Sequence, residues 1–334
     1  MKKKFFKLYA NCVLVEGQEC FLIIDFYHKK YLKIPNSIGT IFMDGLLSFE
    51  IEETEEFYNE NEENIFWQVI DLLHKNGMGF LTENPWEFPE IDTNLVDSPE
   101  IINNAIIEID GINPTIHRKL FDELDDMMCR YAEVWFFSSC SYEDIARIVT
   151  AWDGGFLRGV RIIIDMARKD GEDVAKYSNL ISASNKIDEI VFFNCNELPA
   201  SNSPKVTYLQ KDISDLNYKT NEYNRIVMEM SFYLQAKNRN PFYYKKVCID
   251  KQGNIKNFLA NKKTFGNIKI NSLVDVCKSD DFQKLWNVTN DQIIDIKDSP
   301  MRYCYSITDD LIPLDNGYYK MKTNLKVFPW DNVQ

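Results

Sequence analysis

The chain predicts an α/β fold: a small N-terminal winged-helix unit, a partial parallel βα barrel, and a third unit at the C-terminal side. Three observations carry that prediction. Strand-like runs precede helix-like runs over the first 84 residues. From 104 to 210, apolar runs start about 28 residues apart with a helical segment between each pair. After 235 the pattern changes to a glycine-punctuated hairpin followed by short helices. The expected boundaries are 1–84, a linker at 85–100, the barrel at 101–234 and the last unit at 235–334.

In the first unit, Lys4–Tyr9, Val13–Val15, Glu19–Phe26 and Lys30–Ile34 have strand character. Gly17 predicts a hairpin, because glycine accepts the positive φ of a tight turn. Asn36 predicts the cap of a helix reaching Leu47. A second helix is expected from Asn64 to Asn76, with Ile65, Phe66, Val69, Ile70, Leu72 and Leu73 on one face and Gly77 as its stop. Between the two helices lies the acidic stretch FEIEETEEFYNENEEN. The linker, PWEFPEIDTNLVDSPE, has three prolines and five acids.

The barrel strands are expected at Ala105–Asp110, Ala132–Phe137, Val160–Asp165 and Glu189–Asn194, with further strands at Val206–Gln210 and Ile226–Ser231. The helices between them are Pro114–Met128, Tyr142–Trp152 and Asp173–Asn185. Pro114 suits a first helical position with Asn113 as cap. Ser141 and Asp144 have capping-box spacing. Five or six strands make a partial barrel rather than a closed one of eight. In the last unit, Val247–Asp250 and Asn254–Asn257 flank Gly253 as a hairpin, and Ser272–Val276 and Asp280–Trp286 are helical.

Composition narrows the function classes. The 334 residues carry 51 acids against 38 bases, a net charge of −13. Such a chain is poorly suited to phosphate backbones, so no nucleic-acid partner is expected. No apolar run approaches membrane-spanning length, so no membrane partner is expected and the cytoplasm is the default location.

The eight cysteines stand at 12, 20, 129, 140, 195, 248, 277 and 304, without a close pair. Buried single thiols are the expectation, and no metal ligand set is assigned. Nucleotide-binding glycine loops are absent. Of the three histidines, His28 lies beside two lysines, His74 ends a helix, and His117 begins one after the first barrel strand, on the face where barrels keep their sites. Asp110 and Asp165 end barrel strands, where acid–base work and helix capping are both open readings. No catalytic residue is assigned.

The last unit carries KVCIDKQGNIKN (246–257), FGNI (265–268), LWNVTNDQI (285–293) and KDSPMRY (297–303). Over about 240–305 this order resembles the SPASM domain of peptide maturases that work beside ATP-grasp ligases, the "grasp-with-SPASM" type. In that pattern cysteines hold an auxiliary iron–sulfur cluster. The matching places here are Phe242, Phe258, Ile296, Ser299 and Tyr305. The C-x3-C-x2-C motif of radical-SAM enzymes is also missing, and the loop after the first barrel strand reads DGINPT. The aromatic group Phe242, Tyr243, Tyr244, Phe258 and Trp286 either grips a peptide or fills the vacated space.

The resemblance implies a peptide-maturation protein that recognises a precursor's leader and presents its core to an ATP-grasp ligase, without radical-SAM chemistry. It also implies capture of the leader as an added strand on a sheet edge. In this sequence the edge is Lys30, Tyr31, Leu32, Lys33 and Ile34, beside Trp67, Ile70, Leu73 and His74 of the second helix. No cofactor is expected, an iron–sulfur cluster included. Two alternatives stay open: a peptide-modifying enzyme with an atypical metal or iron–sulfur site, and a homodimer that only stabilises the ligase.

Overall fold

The computed structural model describes residues 4–44, 48–51, 60–92, 98–152, 154–167, 174–195, 203–216 and 225–322. The acidic stretch after Ile51 falls largely outside these residues. The chain divides into two compact units. One is built from Met1–Asp97, Asn224–Pro241 and Val288–Gln334, the other from Ser98–Tyr223 and Phe242–Asn287. The segment 235–334, expected as one domain, contributes to both.

In the first unit, strands β1 (Phe5–Leu8), β2 (Cys12–Glu16), β3 (Phe21–Asp25) and β4 (Lys30–Ile34) are followed by helix α1 (Asn36–Asp44). Strand β5 (Ser48–Glu50), helix α2 (Glu60–Lys75) and strand β6 (Gly79–Thr82) complete the run. They form two three-stranded sheets, ordered β5-β1-β6 and β2-β3-β4. The local sequence signals did not mark β5 and β6, which are short and flank β1 in antiparallel register. Phe6, Phe21, Ile23, Ile38, Phe66 and Leu73 meet in one core cluster. On α2 the buried positions are Phe66, Val69, Ile70 and Leu73, at i, i+3, i+4 and i+7. Leu72 lies off that stripe and is exposed.

Three local expectations need correction or confirmation. The β2–β3 hairpin forms, with Gly17 N–H bonded to the Cys20 carbonyl at 3.0 Å. Gly17 is not among the positive-φ glycines. It is needed for close approach, since a Cβ there would stand 2.5 Å from Pro300 Cδ. Helix α1 begins one residue early, because Ile38 and Gly39 donate to the Pro35 carbonyl, so Asn36 is inside the helix. Its expected end at Leu47 lies outside the described residues. Gly77 does stop α2, with φ of 63° and Met78 N–H returning to the Leu73 carbonyl at 2.9 Å.

Later segments complete this unit. Arg225–Ile226 pairs with Tyr305–Ser306, and Leu311–Pro313 pairs with Tyr319–Met321. The strand expected at Ile226–Ser231 is thus two residues long, belongs to this unit, and gives way to a helix over Met230–Asn238.

The second unit is a mixed α/β body around a seven-stranded sheet. Its elements are β7 (Asn104–Ile109), α3 (Pro114–Asp126), β8 (Tyr131–Phe136), α4 (Tyr142–Ala151), β9 (Gly159–Asp165) and α5 (Val174–Ala183). Next come β10 (Ile187–Phe193), β11 (Val206–Tyr208), β12 (Lys246–Ile249), β13 (Ile255–Lys256) and α6 (Leu273–Lys278). The order is β11-β10-β9-β8-β7-β12-β13, with all neighbours parallel except the β12–β13 hairpin. The order has two ends, so the sheet is open. Asn113 caps α3 by accepting from Ile116 N–H at 3.2 Å, and Ser141 and Asp144 form a reciprocal capping box on α4.

The tail hairpin extends this sheet because β12 pairs in parallel with β7, Val247 opposite Ala105 and Ile249 opposite Ile107. Val247, Cys248 and Ile249 are all buried. A parallel neighbour far away in sequence leaves no local signature, which is why the boundary at 235 misses it.

Candidate functional site

In the first unit, β4 bonds to β3 along one side, with Leu32 opposite Ile23 and Ile34 opposite Phe21. Among the described residues no strand pairs with its other side. Tyr31, Leu32 and Lys33 are half-buried to exposed, while Ile34 is buried. Leu32 and Trp67 pack against the core from its margin, and Ile34, Ile70 and Leu73 are part of it. Of the nine residues expected to bind peptide, those three are therefore committed to packing. His74 is exposed in the last turn of α2. Lys30 Nζ donates to the Asn76 carbonyl, which ties the start of β4 to the end of α2.

The turn that aims β4 is fixed by Asp25, a fully buried carboxylate. Its Oδ1 accepts from Asn11 Nδ2 at 2.7 Å and from the N–H groups of Tyr27 and His28 at 3.0 Å each. Its Oδ2 lies 2.6 Å from His28 Nδ1 and 3.9 Å from Lys30 Nζ. Burial works to raise the Asp25 pKa, but the hydrogen bonds from His28 and Asn11, with the charge of His28, outweigh it and hold the value below normal. His28 is thus one half of a structural pair, although its side chain remains partly exposed.

In the second unit, a cavity of about 210 Å³ lies at the carboxyl ends of β7 and β12, where sheets of this kind place ligands. His117, Asp110, Glu108 and Asp250 line it. His117 Nδ1 accepts from Asn113 N–H at 3.3 Å, and burial lowers its pKa. Asp110 accepts from Ser139 Oγ at 2.6 Å. Asp165 accepts from Asn194 Nδ2 at 2.8 Å and Ala167 N–H at 3.0 Å. Strand β8 separates β7 from β9, so the two acids end strands about 10 Å apart and do not form a dyad.

Sequence reasoning missed a charged row on one sheet face. Arg161 Nε donates to Glu189 Oε2 at 2.8 Å, and its Nη1 donates to Glu133 Oε2 at 3.1 Å. These residues recur at the strand repeat with alternating sign, a signal that was readable. Glu108, on the same parallel sheet, accepts from Lys251 N–H at 3.1 Å, and burial pushes its pKa up.

The motif residues of 246–303 serve the backbone. Asp250 Oδ1 accepts from the N–H groups of Gln252 and Asn254 at 3.1 and 2.9 Å. Asn257 Nδ2 donates to the Phe282 carbonyl at 3.0 Å. Asn290 Nδ2 donates to the carbonyls of Arg302 and Tyr305 at 2.6 and 3.1 Å, and Arg302 Nε reaches Asp291 Oδ1 at 2.6 Å.

At the five places where the resemblance expects thiolates, this chain offers an iron–sulfur cluster none. Phe242 and Phe258 are buried with ring centroids 4.8 Å apart in one unit, and Ser299 Oγ lies 3.1 Å from the Tyr305 hydroxyl in the other. These side chains do not fit a cluster. Tyr243 and Trp286 are buried too, so the aromatic group is core rather than an exposed grip. Among the described residues, no three His, Cys, Asp or Glu side chains converge as a metal site. Seven of the eight thiols are buried, and burial pushes Cys12, Cys129, Cys248 and Cys304 up to about 12. No helix among the described residues is long and apolar enough to cross a membrane.

No protein-family model and no curated protein matches the sequence. Among solved structures, the chain is similar to Streptococcus suis SuiB bound to S-adenosylmethionine, at 8% identity over 89% of this chain and 94% of that one, with a TM-score of 0.27. A superposition that loose carries no argument about activity.

Proposed function

We propose that the first unit is a winged-helix-like module that captures the leader of a precursor peptide as an added strand on β4. The rest of the chain then presents the peptide's core to a partner ATP-grasp ligase. The observation that carries this reading is that, among the described residues, β4 pairs with a strand on one side only. An open edge supplies a row of backbone donors and acceptors, and a protein must either blunt that edge or use it. Leu32 and Trp67, at the margin of the core, offer an apolar surface for alternate peptide side chains. The resemblance of the motif order to a SPASM domain is the second support, since peptide maturation is the setting which that resemblance implies.

The test is an anisotropy titration of a labelled precursor encoded beside this chain, with native protein and the variants Leu32→Pro and Lys33→Pro. A proline is tolerated at an edge where its N–H faces outward and disrupts the ladder where it faces β3. The variant that keeps its circular dichroism spectrum has lost an outward donor, and it must lose peptide binding. Equal binding by that variant and by native protein rules out strand addition.

A further inference from the structure

The cavity of about 210 Å³ in the second unit plays no part in peptide capture, and all of its lining residues belong to that unit. It lies where the sheet changes direction. The chain leaves β7 through α3 toward β8 on one side, and leaves β12 through a hairpin to β13 on the other. Connections that diverge from adjacent parallel strands leave a crevice between their carboxyl ends.

Part of the lining is aliphatic: Ile107, Ile109, Leu120, Ile249 and Ile268 are all buried. The rest carries both signs of charge, with Glu108, Asp110 and Asp250 against Lys251 and Lys269, and His117 beside them. Two of these groups are already committed. Asp250 accepts backbone N–H groups on one oxygen and meets Lys256 Nζ at 3.2 Å with the other. Lys251 Nζ lies over the Phe137 ring, 3.4 Å from its centroid.

The others keep bonding capacity. Glu108 and Asp110 each use one oxygen, for Lys251 N–H at 3.1 Å and Ser139 Oγ at 2.6 Å, and among the described residues the second oxygen of each accepts nothing. His117 accepts at Nδ1 from Asn113 N–H, so its proton sits on Nε2. Neither that N–H nor Lys269 Nζ has a protein acceptor among the described residues. None of these atoms is sealed from solvent, so each is within reach of an entering molecule. The acceptors stand at the end of β7, and the donors stand on α3 and at Lys269.

An anion entering here meets Glu108 and Asp110 as repulsive neighbours, and a cation meets Lys251 and Lys269. A molecule that carries both charges satisfies both sets. It must also be small, because pockets for drug-sized ligands run from about 300 to 1,000 Å³. The geometry points to a binding site for a free α-amino acid with an aliphatic side chain. Its carboxylate is held by His117 and Lys269, its ammonium by Glu108 and Asp110, and its side chain by Ile109, Leu120 and Ile268.

The experiment is calorimetric titration of the full chain with L-valine, L-leucine and L-isoleucine. The comparators are 4-methylpentanoate, which lacks the ammonium, and 3-methylbutan-1-amine, which lacks the carboxylate. At least one amino acid binds saturably, and about tenfold more tightly than either comparator, the gain from one charge-assisted hydrogen bond. Asp110→Asn and Lys269→Gln change exposed side chains and keep the native circular dichroism spectrum, and each weakens that amino acid about tenfold. Should either fail to fold, Ile116→Trp, which narrows the cavity from α3 and keeps every charge, must abolish binding. Saturable binding by none of the three amino acids, a comparator bound as tightly as the best of them, or unchanged affinity in any folded variant each overturns the assignment. Peptide capture by β4 is read in a separate assay on the other unit, so either result stands without the other.

Discussion

Strand β4 and strand β10 show what the two units do with their side chains. β10 lies between two parallel neighbours and buries Ile190, Val191, Phe192 and Phe193 in succession. β4 has a neighbour on one side among the described residues and buries Ile34 alone. A strand covered on both faces and bonded along both sides has nothing left to offer a ligand. A strand paired on one side only leaves more of its side chains at the margin of the core, where they tolerate change. The parallel sheet is therefore chiefly a source of stability, with its chemistry confined to the strand ends and one charged row. The small sheet is where a change of side chain costs least in structure.

Mutations can break or sharpen that contrast. Phe192→Ala removes a fully buried ring that stacks on Tyr208 with centroids 5.1 Å apart. It should destabilise the second unit by about 3–5 kcal/mol in urea unfolding. A loss below about 1 kcal/mol would mean that the sheet can collapse around the cavity.

Asp25→Ala should cost about 2–3 kcal/mol, because the Asn11 amide and two backbone N–H groups lose their buried acceptor. This carboxylate also sets a pH dependence. Its folded pKa lies below the ordinary value of about 4, so in that acid window the unfolded chain binds more protons and stability rises with pH. Stability supplied by Asp25 is complete above that ordinary value and is lost as pH falls through the folded one. Thermal melts of the native protein from neutral to acid should show this loss, and Asp25→Asn should flatten it. An unchanged acid slope in Asp25→Asn would remove the residue from this role.

Ser141→Ala should cost about 1 kcal/mol by opening the capping box of α4, seen as a lower melting temperature. The smallest effect on stability belongs to the edge. Leu32→Ala should cost about 1 kcal/mol, since the side chain is only partly buried, while weakening peptide binding by about tenfold in the anisotropy assay. A large stability loss with unchanged peptide affinity would reverse the contrast drawn between β4 and β10.

The legible parts of this fold were the local ones. Asn113 before Pro114, Ser141 three residues before Asp144, and Gly77 after an amphipathic run each fix a helix end through bonds to residues a few positions away. The four barrel strands were legible because apolar runs recur at a constant interval. The partner of β7 was not, since Lys246 pairs with Asn104 across a separation that no local pattern encodes. At the candidate site, residue choice was legible but residue fate was not. The stripe on α2 named Ile70 and Leu73 without telling which side of the helix would face the core and which the margin. Gly17 was marked correctly as a turn, yet its reason lies in Pro300, far along the chain.

The interleaving of the two units has a consequence for biogenesis. The polypeptide passes from one unit to the other four times, and the first unit takes in residues from Val288 onward as well as those before Asp97. At translation rates of about 5–20 residues per second, roughly 190 residues separate those segments, a delay of about 10–40 s on the ribosome. During that interval the first unit lacks the strands Tyr305–Ser306, Leu311–Pro313 and Tyr319–Met321. A chaperone that holds the nascent chain would shield the unfinished unit until the last segment emerges.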